Sequence, residues 1–162
     1  MDTNKKTVNN MEPNKNQYLL KLTIWGGVVF WVTTIICSLL PIAAKYRASY
    51  SNWSLQTVWI ASLPMGMIIG FFVSYILLHY FEKIPSKSPI LKSLLVSFIF
   101  LLIALLLIDG PQSFFGMSKS PVALRFFFIG VLLNGARFLL LGITIGCIYN
   151  YLLKNLYKGN KK

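Results

Sequence analysis

The sequence predicts an all-α polytopic membrane protein: a bundle of four transmembrane helices with both termini in the cytoplasm. Three observations carry that prediction. Hydrophobic residues make up 56% of the 162-residue chain and charged residues 12%, about half the charge of an ordinary soluble domain. The apolar residues collect into four stretches long enough to cross a bilayer or nearly so. The basic residues crowd the chain ends and the second connection. Mean hydropathy is +0.63, which excludes disorder, because so much apolar surface would collapse.

The first stretch, residues 22–44, holds no charge and is bracketed by Lys21 and Lys45. At a rise of about 1.5 Å per residue it reaches about 34 Å, enough to cross the hydrocarbon with some tilt. The second, residues 58–81, is interrupted only by Pro64 and His79. The third, residues 91–108, has a reach of about 27 Å, at the short limit for a crossing. The fourth, residues 126–153, is apolar except for Asn134, Arg137 and Asn150. Lipid offers the backbone no hydrogen-bond partners, so each stretch is expected to be a helix. Pro41 and Pro64 are expected to kink the first two, since proline removes a donor and crowds the preceding turn. Ser120-Pro121 reads as the start of the fourth, and Asp109-Gly110-Pro111 as the stop of the third. These limits divide the chain into a disordered cytoplasmic tail (1–20), a transmembrane domain (21–154) and a basic cytoplasmic tail (155–162).

Eleven of the sixteen basic residues fall in the N-terminal tail, the second connection (Lys83, Lys87, Lys92) and the C-terminus. Only Lys45, Arg47, Lys119 and Arg125 fall on the opposite side. Cytoplasmic loops carry the excess of lysine and arginine, so both termini are placed inside, in the plasma (inner) membrane. The same lysines are expected to attract anionic lipids at the cytoplasmic face, at about 1 kcal/mol each near the surface. They are scattered over three short segments with no aromatic stacking platform, so nucleic acid is not an expected partner despite the net charge of +12. Tyr46, Tyr50, Trp53 and Trp59 read as aromatic rings at headgroup depth.

Much chemistry is excluded by what the spans lack. The four carboxylates are Asp2, Glu12, Glu82 and Asp109. None lies in the middle of a span, which argues against a carboxylate proton carrier and a paired-aspartate protease. His79 is the only histidine, so a His-pair metal site cannot form. It reads as an interfacial residue beside Tyr80. Cys37 and Cys147 belong to opposite halves of their spans, differ by about 15 Å in depth and are not expected to pair. With no Cys-x-x-Cys and no Gly-x-Ser-x-Gly elbow, a non-enzymatic protein without a cofactor is expected.

Two features stand out. Ser62, Gly66, Gly70 and Ser74 recur every fourth residue and form one small-residue ridge. Gly142 and Gly146 form a shorter counterpart. Such ridges let helix backbones approach closely in lipid, either within one bundle or between copies. The first functional expectation is therefore a module acting through helix–helix association, as an accessory subunit or a homo-oligomer. The two ridges also share one constant offset, which relates Gly66 to Gly142, Gly70 to Gly146 and Tyr75 to Tyr151. A parallel repeat of two helix pairs would give this spacing.

The second feature is Arg137, near mid-membrane, with Asn134 three residues before and Thr144 seven after on one helical face. Arginine at that depth costs about 2.5–3.5 kcal/mol on insertion scales and must face protein or water. Three readings fit: a structural arginine bonded to Asn134 with Asp109 as counter-charge, a snorkelling residue near the outer interface, or the wall of a cavity for an anionic substrate or lipid headgroup. The last makes the protein a small oligomeric transporter or channel using Arg137 and Asn134.

Overall fold

The computed structural model of the protein describes residues 15–50, 54–86, 88–106 and 121–159. These form five α-helices and no strand: α1 (Lys15–Ser38), α2 (Pro41–Tyr50), α3 (Leu55–Tyr80), α4 (Pro89–Ala104) and α5 (Pro121–Gly159), with a 3₁₀ turn at Phe81–Lys83 after α3. α1, residues 55–83 and residues 127–154 are long and apolar enough to cross a membrane, and α4 is a shorter apolar helix.

The surface shows which solvent the fold is built for. Ile60 and Leu132 are 74% and 73% exposed, whereas Thr34, Ser74, Ser93 and Ser97 are buried. In water that distribution would be costly. In lipid it is the expected one, since tails are as apolar as leucine and small residues let helices approach. The protein is a helical membrane protein.

Helix limits depart from the sequence expectation where side-chain packing decides. α1 begins at Lys15 rather than residue 22, because Tyr18 and Leu19 pack against the core. It ends at Ser38, whose hydroxyl donates to the Ile35 carbonyl at 2.7 Å. Pro41 then opens a separate helix, α2, instead of kinking the first. Proline suits a first helical position, where its missing donor is not needed. Ala43 of α2 packs with Cys37 of α1 and Leu133 of α5, so part of the expected outer loop at 45–57 is helical. Ser54 caps α3, accepting from the Thr57 amide at 3.1 Å. α4 has 16 residues, about 24 Å of rise, and its last turn widens at Leu105–Leu106 into a π-turn. α5 is described from Pro121 and runs for 39 residues, and the Ser120 half of the Ser120-Pro121 start lies outside the described residues. The Asp109-Gly110-Pro111 stop lies outside the described residues.

The long helices form a ring in the order α1, α3, α4, α5. α1 packs along α3 and α4 along α5 over the longest interfaces, α1 and α5 join the two pairs, and α3 meets α4 over the shortest. The glycine ridges set both pair contacts. A Cβ on Gly66 would stand 3.0 Å from the Gly27 carbonyl oxygen and from Phe30, and one on Gly70 3.1 Å from the Thr23 carbonyl oxygen. A Cβ on Gly142 would stand 2.9 Å from Ser97 and 3.1 Å from the Leu94 Cα, and one on Gly146 2.6 Å from the Ile90 Cα.

The partners keep register. Thr23, Gly27 and Phe30 of α1 correspond in order to Ile90, Leu94 and Ser97 of α4, with one spacing throughout. The second helices, α3 and α5, correspond through the offset of the glycine ridges. Two helix pairs therefore pack in one manner, with a longer run of chain between the matching contacts of the second pair. Cys37 is buried and Cys147 exposed, both as free thiols.

Candidate functional site

α1, α3, α4 and α5 line a cavity of about 280 Å³ in the half of the bundle next to Ser38 and Leu55. Its wall is apolar apart from Thr34 of α1, Ser62 of α3, and Asn134 and Arg137 of α5. The Thr34 hydroxyl is turned back onto the Phe30 carbonyl at 2.8 Å and that of Ser62 onto the Trp59 carbonyl at 2.9 Å. Arg137 Nη1 donates to Asn134 Oδ1 at 3.0 Å, across one helical turn. Arg137 makes a further interaction besides this one. Arg137 is ten residues into the crossing stretch that starts at Phe127, so about 15 Å along the helix. Arg137 itself is half-buried. Met65, which lines the cavity, is 43% exposed, so the space reaches the bundle surface beside the short α3–α4 interface.

The expected polar face is thus brought together only in part. Asn134 and Arg137 share the cavity, but Thr144, two turns further along α5, is half-buried and not among the lining residues. Asp109 lies outside the described residues. Ser62 is the one member of the α3 ridge in the cavity wall; Gly66, Gly70 and Ser74 are buried against α1 and the core. Gly142 and Gly146 are likewise covered by α4. The ridges hold the chain's own helices together and present no free surface to a second copy.

Two clusters go beyond the sequence expectation. Lys92, expected at the cytoplasmic surface, is 6% exposed. Its ammonium donates to the Phe81 carbonyl and lies 3.8 Å from the centroid of that ring. The Phe81 ring in turn packs on Tyr149 at 5.0 Å. A cation is favourable at a helix C-terminus and against an aromatic face, so Lys92 ties α4 to the end of α3 and is not available to headgroups. The signal lies in the helix phase: Lys92, Ser93, Val96 and Ser97 share one buried face. At the other end, Trp31 Nε1 donates to the Trp59 carbonyl at 2.9 Å, and Trp59 Nε1 donates to Ser38 Oγ at 2.8 Å. Trp59 therefore latches α3 to α1, a role the headgroup reading does not anticipate. His79 is exposed, stacked on Tyr75 at 4.0 Å with Nδ1 3.0 Å from the Tyr75 carbonyl.

No group of three or more metal-ligating side chains occurs among the described residues. No protein-family model matches the sequence, and no curated protein or solved structure matches the chain.

Proposed function

We propose that this is a non-enzymatic protein of the plasma (inner) membrane that crosses it four times with both termini cytoplasmic. Its cavity at Arg137 and Asn134 holds the anionic group of a small molecule or lipid headgroup, as a small transporter or channel requires. The observation that carries this reading is the cavity itself: Arg137 and Asn134, within an apolar span, line a cleft to which all four long helices contribute. An intramembrane charge is costly and concentrates at substrate pathways. In this reading α4, about 24 Å in its α-helical part and prolonged by its π-turn, serves as the fourth crossing, and the α3–α4 connection with its lysines would lie on the same side as the termini. Helix–helix association as the primary function loses its main support, since the α3 ridge is buried within the chain.

The reading is tested by thiol labelling. In a background in which Cys37 and Cys147 are replaced by serine, Asn134→Cys is reacted with negatively and positively charged methanethiosulfonates of similar size. The anionic reagent is expected to react faster by roughly tenfold, the size of a screened single-charge effect. Adding Arg137→Leu is expected to abolish the difference. No labelling, or a preference that Arg137→Leu leaves unchanged, overturns the proposal.

A further inference from the structure

One face of α3 lines the Arg137 cleft along its length. Val58, Ala61, Met65 and Ile69 follow one another at helical spacing, and all four belong to the wall. The same face continues to Phe72, whose ring stacks on Phe100 of α4 with centroids 6.1 Å apart. Phe72 therefore marks where α4 covers this face. From there towards Ser54, α4 contributes only Ala104 to the wall among the described residues, one turn past Phe100 and the last residue of its α-helix. Ala61, Ile69 and Ala104 are half-buried and Met65 is exposed. Two other sides are tied: Trp59 bonds to Ser38 between α3 and α1, and Phe30 meets Phe138 edge-on at 5.7 Å between α1 and α5. The cleft thus opens sideways between α3 and α4, with the Phe72–Phe100 pair as its sill.

That opening faces hydrocarbon. Ile68 and Ile103, beside its rim, are exposed as lipid-facing residues are. A free anion taking this route to Arg137 would have to leave water unpaired, which is strongly disfavoured. A lipid meets no such barrier, because its headgroup can follow the cleft while its acyl chains stay among the tails. The lining supports that path. Val58 lies about 5 Å from the start of α3, and from Val58 to Ile69 the helix rises about 16 Å, close to half of a hydrocarbon core of about 30 Å. The rim is also adjustable. Met65 is unbranched and flexible, and Pro64 beside it leaves the Ile60 carbonyl without its helical donor, a weak point at which a helix bends.

We propose that the Arg137 cleft is entered sideways between α3 and α4 and takes the anionic headgroup of a membrane lipid, whose acyl chains remain in the bilayer beside Met65 and Ala104. The proposal rests on the reading of the cleft as an anion site and adds the source of the anion, which is the bilayer and not the water. Arg137 supplies the charge. Asn134 Oδ1 accepts from Arg137, so the Asn134 amide nitrogen is the donor it turns to the phosphate. Which leaflet supplies the lipid follows from the topology proposed above, whereas the sideways route does not depend on it.

The test is lipid retention. Wild type and variants in nanodiscs of phosphatidylcholine and phosphatidylglycerol in a 3:1 ratio are weighed by native mass spectrometry with the lipids they keep. Wild type is expected to keep one more phosphatidylglycerol than Arg137→Leu. Ala104→Trp, which fills the opening from α4, is expected to lose that one lipid and keep its helical circular dichroism. If Ala104→Trp does not fold, Met65→Trp fills the opening from its exposed rim and carries the same expectation. Glycerol phosphate, the same anion without acyl chains, is offered to wild type in phosphatidylcholine nanodiscs and is expected to give no adduct that Arg137→Leu removes. Equal phosphatidylglycerol retention in wild type and Arg137→Leu, or in wild type and the filled variants, overturns the proposal. An Arg137-dependent glycerol phosphate adduct overturns it too, because the anion then comes from water, yet it leaves the anion site standing. That site is judged separately by the reagent preference at Asn134→Cys, so the two readings fail apart.

Discussion

Gly146→Ala is expected to lower stability by about 1–3 kcal/mol, the usual range for overpacking a well-packed contact, while Gly135→Ala is expected to leave it unchanged or raise it. Both residues lie on α5, so the helix-propensity gain on replacing glycine by alanine, up to about 1 kcal/mol, is common to the two variants. The difference between them reports packing alone. At Gly146 the new methyl would stand 2.6 Å from the Ile90 Cα, which belongs to a backbone and cannot rotate away. Carbon atoms attract best at about 3.5–4.0 Å, so α4 and α5 must separate by about 1 Å. That separation also loosens Gly142 against Leu94 and Ser97. At Gly135 the methyl enters open space. Unfolding by sodium dodecyl sulfate from mixed micelles, followed by circular dichroism, measures both. Equal effects would show that α4 and α5 do not meet in this register.

Trp59→Ala is expected to cost about 2 kcal/mol or more, and Trp59→Phe well under half of that. The alanine variant removes an indole from between α1 and α3, and large-to-small changes at tryptophan cost about 3–5 kcal/mol when burial is complete. Trp59 is half-buried, which brings the expectation down. Phenylalanine keeps most of the ring and removes only the 2.8 Å bond to Ser38. Hydrogen bonds between membrane helices average about 0.6 kcal/mol. The bond from Trp31 to the Trp59 carbonyl is untouched in both variants, because its acceptor is backbone. The same detergent titration reads the effect, and a phenylalanine variant as damaged as the alanine one would contradict packing as the dominant contribution.

These residues also mark what is legible in the sequence. The constant offset of the glycine ridges is visible because the ridges are written in residue identity. The correspondence of α1 and α4 is not: Gly27 and Phe30 stand where Leu94 and Ser97 stand, and only shared contacts reveal the register. Trp59 reads as a headgroup aromatic because a tryptophan near the end of an apolar stretch usually is one. Its partner Ser38 is 21 residues away, beyond any local pattern. Lys92 counts among the surface lysines by its position at a span end, although its helical phase already places it inward. Pro41 reads as a kink because residues 22–44 form one unbroken apolar run, and composition alone does not show where α1 stops. The site is legible in its chemistry but not in its extent. Arg137 and Asn134 stand out as polar residues in lipid, whereas the part played by Thr34, Ser62 and Met65 depends on how four helices converge.

The account rests on lipid as the solvent of the helices and on an even number of crossings, and fusing reporters to the C-terminus tests this most directly. Green fluorescent protein, which folds in the cytoplasm, and alkaline phosphatase, which is active only outside it, are each joined after Lys162. The account predicts a membrane-bound fluorescent fusion and an inactive phosphatase. An active phosphatase with a dark fluorescent protein, or a fusion that stays soluble without detergent, would contradict it.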